Sequence, residues 1–202
     1  MKLQNTIIYL IGVPAVGKYT VAKEIGRMTG AKVVDNQLIN TPVFSVVGYD
    51  GTDAFPFPPG AWAQIEKIQR AVLTVIRDFC PPDASFVFTN VLDAREPGDR
   101  AWFGRIERLA RRRKAGFFPV WLTCDADSIR KRKATPERRA RLKDVDLTNI
   151  PRWLEEFEVL RVQHPNALTL DTSRSEPRQT ARRILEHVRG AGHRRSGMSA
   201  TT

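Results

Sequence analysis

One short stretch near the start of the chain holds residues whose types and spacing suit phosphate binding. It reads Gly12-Val-Pro-Ala-Val-Gly17-Lys18-Tyr19-Thr20. Glycine adopts backbone angles that other residues resist, so a loop bounded by Gly12 and Gly17 can turn its N–H groups toward an anion. The Lys18 ammonium adds a flexible charge that can follow the β- and γ-phosphates of a nucleotide. The spacing therefore predicts a nucleotide-binding loop, whose candidate residues are Gly12, Pro14, Ala15, Val16, Gly17, Lys18, Tyr19 and Thr20.

The stretch matches the pattern G-x-x-x-x-G-K-[ST] except at its last position, where Tyr19 replaces the usual Ser or Thr. The usual hydroxyl binds Mg²⁺ directly, and a tyrosine side chain is too long to do so from that position. Thr20 supplies a hydroxyl one residue later. The competing interpretation is an ordinary glycine-rich turn between a strand and a helix.

The elements on either side of the loop favour the phosphate-binding interpretation. Residues 6–11 are an apolar run that predicts a buried strand, and residues 17–28 predict a helix that ends at Gly30. A strand, a loop and a helix in this order direct the loop amides and the helix N-terminus toward a bound anion. A second short strand, residues 31–35, ends in Asp35 at the edge where α/β sheets place their ligands.

Length and cysteine content limit the class of protein. A chain of 202 residues is long enough for one domain whose sheet is covered by helices on both faces. No apolar run approaches the roughly 18 residues that a membrane span needs, and the N-terminus is not typical of a signal peptide. Cys80 and Cys124 form neither a disulfide framework nor a metal-binding spacing, so we expect a cytoplasmic protein that does not bind membranes.

The formal net charge of +11 admits a nucleic-acid partner. A second interpretation competes with it, because several arginines lie at helical spacing beside glutamates, as on solvated helix faces. A protein that handles several phosphates needs arginine as well. Charge therefore leaves nucleic acid as the less favoured partner.

The rest of the chain predicts alternating helices and strands. Residues 41–60 mix prolines and glycines with aromatic residues, which argues against a regular element and for a loop that covers the pocket. A surface loop with its aromatic residues packed into the core is the alternative. We predict helices over 61–79, 98–115, 124–133, 148–163 and 176–189, strands over 84–91, 116–123 and 167–171, and a disordered tail over 190–202. This order fits a parallel sheet with right-handed crossovers.

From about residue 6 to 189 the chain resembles the P-loop kinases of small molecules, which include adenylate kinase, shikimate kinase and chloramphenicol phosphotransferase. The phosphate loop, Asp35 at a strand end and an arginine-rich stretch before the last strand carry the resemblance. It implies an α/β, three-layer P-loop NTPase fold with a five-stranded parallel sheet in the order 2-3-1-4-5. A single kinase domain would then span 1–189, with an acceptor-binding insert at about 36–60 and a lid at about 128–146.

The same resemblance implies roles for individual residues. Asp35 would orient the acceptor hydroxyl and accept its proton, and Lys18 would hold the β- and γ-phosphates of ATP. Thr20 would contact phosphate or a water bound to Mg²⁺, and Asn90 stands where many of these enzymes have an aspartate; Asp93 follows nearby. The candidate lid and nucleotide contacts are the catalytic arginines Arg132, Arg138 and Arg139, together with Arg130, Thr172 and Ser173, the last two beside the adenine.

Three functions remain open from the sequence. The first is an ATP-dependent phosphotransferase, a kinase that phosphorylates a hydroxyl group of a small molecule with ATP and Mg²⁺. The second is a kinase that acts on a nucleotide or on the end of a nucleic acid, which the basic charge favours. The third is a nucleotide-binding module without transfer activity.

Overall fold

The computed structural model describes residues 2–198. Five strands, β1 (Thr6–Ile11), β2 (Lys32–Asp35), β3 (Phe86–Asn90), β4 (Gly116–Thr123) and β5 (Leu168–Asp171), form one parallel sheet. Their order is β2-β3-β1-β4-β5, which confirms the expected topology. The loop after β1 therefore lies at the centre of the sheet, between the ends of β3 and β4.

Helices cover both faces of the sheet and complete three layers. They are α1 (Lys18–Thr29), α2 (Asn36–Val47), α3 (Ala61–Asp78), α4 (Pro97–Arg112), α5 (Ala126–Lys133), α6 (Pro136–Ala140) and α7 (Pro177–Met198), with a π-helical turn at Arg152–Glu156. None of the helices within residues 2–198 is long and apolar enough to cross a membrane.

Successive side chains of β1 point to opposite faces of the sheet, and the core is therefore divided into two clusters. Ile8 and Leu10 pack in the cluster that contains Ile25 of α1 and Ile184 of α7. Ile7, Tyr9 and Ile11 pack on the other face, in the cluster that contains Trp102, Phe103 and Ile106 of α4. All six residues of β1 are buried, as expected of a central parallel strand whose two faces are both covered.

Pro119 lies inside β4, where a missing amide hydrogen would weaken a central ladder. It is opposite Tyr9 of β1, while β5 begins to pair with β4 only at Val120. The proline therefore precedes the β4–β5 ladder. This placement explains how the predicted strand accommodates it.

The structure corrects two predictions about regular structure. Residues 36–47 form α2, which continues through Pro42 and ends at Gly48, a left-handed residue whose N–H donates to the Phe44 carbonyl. Residues 148–163, in contrast, contain only the π-helical turn. The buried Leu160 makes its backbone hydrogen bonds to the core instead of continuing a helix. Its N–H donates to Leu92 O, and its carbonyl accepts from Trp121 Nε1 at 2.7 Å.

The C-terminal helix is longer than expected. The sequence predicts a helix to residue 189 and a disordered tail over 190–202, whereas α7 continues to Met198. The prediction for residues 199–202 falls outside the described residues.

Candidate active site

A cavity of about 610 Å³ opens at the carboxyl edge of the sheet. Its walls come from four places: residues 14–21, which form the loop after β1 and the start of α1; residues 35–37 and 89–91, at the ends of β2 and β3; residues 132–144, in the predicted lid; and residues 172–180, after β5. The cavity has the volume typical of a small-molecule site.

Two glycines give the loop its shape. A Cβ on Gly12 would lie 2.4 Å from the Leu122 carbonyl oxygen, so only glycine fits against β4 there. Gly17 has φ of 94° and caps α1 in the left-handed conformation, which favours glycine. Within the described part of the chain, the amides of Ala15, Val16 and Gly17 donate no hydrogen bond. These free donors at a helix N-terminus suit a phosphate group.

Lys18 lies at the base of the cavity and folds back over the loop. Its Nζ donates to Gly12 O at 2.7 Å and to Val13 O at 2.9 Å. The pKa of Lys18 is lowered to about 7, chiefly by burial and also by the positive charges of Lys143 and Arg138, against the opposing effect of Asp35. An anion in the cavity would relieve this unfavourable charge.

Asp35 is buried at the end of β2, 5% exposed, and is held from three sides. Its Oδ1 accepts a hydrogen bond from Thr89 Oγ1 at 2.6 Å. Its Oδ2 lies 3.2 Å from Nη2 of Arg141 and 3.3 Å from Nζ of Lys143. The carboxylate thus faces the cavity in a fixed orientation, as a group that must accept a proton from a bound hydroxyl should.

The lid region, residues 128–146, reaches the cavity, but only some of its predicted arginines do. Arg132 Nη2 donates to Thr172 O at 2.7 Å, and its Nη1 would lie 3.8 Å from a Cβ on Gly17. Arg138 also lines the cavity, and its Nη2 donates to Asp144 O at 2.7 Å. Burial lowers the pKa of Arg138.

Four other candidates lie outside the cavity wall formed by the described residues. Gly12 is buried against the Leu122 carbonyl of β4, and Arg139 is exposed. Arg130 pairs with Asp127 at 3.1 Å on the surface. Asp93 is bound by Arg95 at 2.8 Å. The structure therefore does not bring Arg139 or Arg130 to the site.

Thr172 and Ser173, the predicted nucleotide contacts after β5, both line the cavity. Thr172 Oγ1 lies 2.9 Å from Val16 O, which ties this loop directly to the phosphate loop. Ser173 lines the cavity and donates its hydroxyl to Asp171 Oδ2 at 3.1 Å. Pro14, Ala15, Val16, Gly17, Lys18, Tyr19 and Thr20 line the opposite wall.

Of Asn90 and Asp93, only Asn90 lines the cavity formed by the described residues. Its Oδ1 accepts from Tyr9 Oη at 3.0 Å and from Trp102 Nε1 at 3.2 Å, and its Nδ2 donates to Asn36 at 2.9 Å. Burial raises the pKa of Tyr9 well above its usual value, so the tyrosine remains a donor. This network fixes the amide that occupies the expected aspartate position.

Within residues 2–198, no group of three or more His, Cys, Asp or Glu side chains is placed to hold a metal ion. Thr20 lines the cavity, and its hydroxyl donates to Gly17 O at 2.8 Å. It can contact a phosphate or a metal-bound water.

Arg141 and Lys143 are the site residues that sequence reasoning missed. They belong to a group of eight cations from Arg130 to Lys143, and the sequence does not indicate which of these face inward. Asn36 and Gln37, at the start of α2, also line the cavity. They are the part of the 36–60 segment that reaches it.

No family model and no curated protein matches the sequence. Solved structures with a similar fold include a gluconokinase from Sinorhizobium meliloti, with a TM-score of 0.62 and 13% identity over 98% of this chain and 99% of that chain. A sugar kinase from a Janibacter species has a TM-score of 0.60 and 17% identity over 91% and 94%. The APS kinase of Mycobacterium tuberculosis, in complex with AMPPNP and APS, has a TM-score of 0.56 and 15% identity over 93% and 99%. The expected fold of the P-loop small-molecule kinases is thereby confirmed.

Proposed function

We propose that this protein is an ATP-dependent phosphotransferase that phosphorylates a hydroxyl group of a small molecule. The observation that carries the proposal is the convergence of Lys18, Asp35 and four cations of the lid region on one cavity. Phosphoryl transfer requires positioning and charge neutralisation more than covalent chemistry. This arrangement supplies both.

The phosphate loop and its neighbours would hold ATP. Lys18 would exchange its two carbonyl contacts for phosphate oxygens, because a phosphate is a stronger acceptor for an ammonium group than a carbonyl is. Arg132 and Arg138 would neutralise charge on the transferring group, with planar guanidinium donors that suit phosphoryl oxygens. Thr172 and Ser173 would border the base of the nucleotide.

Mg²⁺, when bound, would neutralise charge on the phosphates. Thr20 and Asn90, which both line the cavity, are the polar groups of this chain that would contact such an ion or its bound water. Because the described residues offer no metal-binding cluster, phosphate oxygens and water would supply most of its ligands.

Asp35 would take the proton of the acceptor hydroxyl. The amide side chains of Asn36 and Gln37 line the same end of the cavity and can exchange hydrogen bonds with further hydroxyl groups. The proteins of similar fold include a sugar kinase and a gluconokinase. We therefore place a polyhydroxylated small molecule first among the acceptor classes.

A transfer assay tests the proposal. The protein would be incubated with γ-labelled ATP, Mg²⁺ and a panel of sugars, sugar acids and other alcohols, with labelled product separated from ATP. We expect transfer to at least one acceptor, and a loss of about 100-fold or more in Lys18→Met, because a preorganised charge in the transition state is removed. Lys114→Met, at an exposed turn, is the control.

Two outcomes would overturn the proposal in favour of its rivals. Labelling of a 5′-hydroxyl oligonucleotide, and of no member of the panel, would indicate a nucleic-acid kinase. Stabilisation by ATP without transfer to any acceptor would indicate a binding module.

A further inference from the structure

Tyr19 occupies the place of the usual metal-contacting hydroxyl, and the structure shows what surrounds it instead. The Arg141 guanidinium carbon lies 3.8 Å from the centre of the Tyr19 ring, and Nζ of Lys143 lies 4.4 Å from it. Nη1 of Arg141 also donates to the Tyr19 hydroxyl at 2.9 Å. One aromatic side chain of the phosphate-loop helix thus contacts two cations of the lid region, more than 100 residues away in the sequence.

The same two cations reach the proposed base. Both pair with Oδ2 of Asp35, at 3.2 and 3.3 Å. Tyr19, Arg141, Lys143 and Asp35 therefore form one contiguous group, which we call the Tyr19 cluster. Within it both cations contact the ring as well as the carboxylate.

The Tyr19 ring offsets part of the repulsion between the clustered cations, which the single charge of Asp35 does not neutralise. Asp35 carries one negative charge against two positive charges in the cluster, and Lys18 and Arg138 add further positive charge nearby. Nε of Arg141 is buried and has no hydrogen-bond partner among the described residues. The negative potential of an aromatic face attracts cations in such partly desolvated positions. A serine here would offer a hydroxyl but no ring face.

We propose that Tyr19 is a positioning residue, which holds Arg141 and Lys143 over Asp35 through its ring and thereby sets the lid cations against the acceptor end of the cavity. The role in transfer rests on the proposed function. The contact of Tyr19 with the two cations does not rest on the proposed function, and it can be tested without any acceptor.

Brief trypsin digestion of the native protein measures how firmly the two cations are held. Cleavage after Arg141 and Lys143 requires this segment to leave the cluster, so its rate follows the population of the open form. Cleavage after Lys114, in the exposed turn between α4 and β4, is the internal reference. First-cut fragments would be identified by mass spectrometry in Tyr19→Phe, Tyr19→Leu and Tyr19→Ser, with Phe79→Leu as an aromatic control far from the cavity.

We expect cleavage after Arg141 and Lys143, relative to Lys114, to rise about tenfold in Tyr19→Leu and Tyr19→Ser, as the loss of a desolvated cation–π contact implies. Tyr19→Phe keeps the ring and should stay within about threefold of the wild type, since it loses only one hydrogen bond. Phe79→Leu should match the wild type.

Three results would overturn the proposal. The first is wild-type cleavage in Tyr19→Leu, which would show that the ring holds nothing. The second is an equal rise after Lys114, which would indicate general destabilisation. The third is a Tyr19→Phe pattern like that of Tyr19→Leu, which would assign the effect to the hydroxyl. None of these results depends on phosphotransfer, so they leave the proposed function to its own assay.

Discussion

At the scale of single residues, the site depends on how Asp35 is surrounded. Its two oxygens are assigned to different partners, Thr89 on one and the cations Arg141 and Lys143 on the other. The hydrogen bond from Thr89 and the two ion pairs fix the orientation of the carboxylate. An oriented carboxylate at the acceptor end is what a general base requires.

Replacement of this carboxylate separates binding from transfer. We expect Asp35→Asn to lower the turnover number about 100-fold or more, because the amide cannot accept the hydroxyl proton. The affinity for ATP should stay within a few-fold, since the phosphate loop is unchanged. Calorimetric ATP titration and the transfer assay measure the two quantities. Asp83→Asn, at an exposed position outside the cavity, is the control, and full activity in Asp35→Asn would disprove the assignment of the base.

At the scale of elements, one buried lysine connects helix α5 to the segment that follows the cavity cations of the lid region. Lys133, the last residue of α5, is fully buried. Its Nζ pairs with Asp144 at 2.7 Å, donates to Asp146 O at 2.6 Å and contacts Asn149 Oδ1. It thereby links α5 to residues 144–149, the segment that follows Arg141 and Lys143. We expect this link to help position the two cavity cations.

Removal of the lysine should therefore destabilise the protein strongly. We expect Lys133→Met to lower the free energy of unfolding by about 3 kcal/mol, because Asp144 is left as a partly buried carboxylate without its cation. Urea denaturation followed by circular dichroism measures the change. Lys131→Met, two residues earlier and exposed, should change stability by less than about 0.5 kcal/mol. Equal stability of the two variants would show that the Lys133 contacts do not hold the segment.

At the scale of the whole molecule, the buried cations make stability depend on pH. Burial lowers the pKa of Lys18 to about 7, and it lowers the pKa of Lys133 and Lys143 as well. Unfolded lysines titrate near pH 10.4. Between about pH 7 and that value, the unfolded chain binds protons that the folded chain does not. The free energy of unfolding therefore rises with pH in this window.

The contribution of Lys18 can be isolated. A full proton corresponds to about 1.4 kcal/mol per pH unit, and the partial exposure of Lys18 should make the observed slope smaller. We expect urea unfolding between about pH 7 and 9, below the range of tyrosine titration, to show a rising stability that flattens in Lys18→Met. Lys114→Met should keep the wild-type slope. An unchanged slope in Lys18→Met would contradict the depressed pKa.

The sequence by itself was sufficient for the order of the five strands and for the strand, tight loop and helix around Gly12 and Gly17. Residues 6–11, Gly12, Gly17 and Lys18 specify a strand, a tight turn and a helix through local rules of periodicity and backbone freedom. The fold confirms the parallel sheet and its strand order. The position of Asp35 was predictable because the carboxyl ends of the strands in a parallel sheet all lie at the same edge.

Tertiary structure alone decided which cations face the cavity and which segments remain helical. Arg139 and Arg141 are two residues apart in a short, irregular region without a long amphipathic period, so their sequence spacing does not reveal that only Arg141 faces Tyr19 and Asp35. Residues 148–163 have a helical pattern, but the burial of Leu160 against Trp121 outweighs that local preference. Both outcomes depend on contacts between residues far apart in the chain, and such contacts leave no local signal.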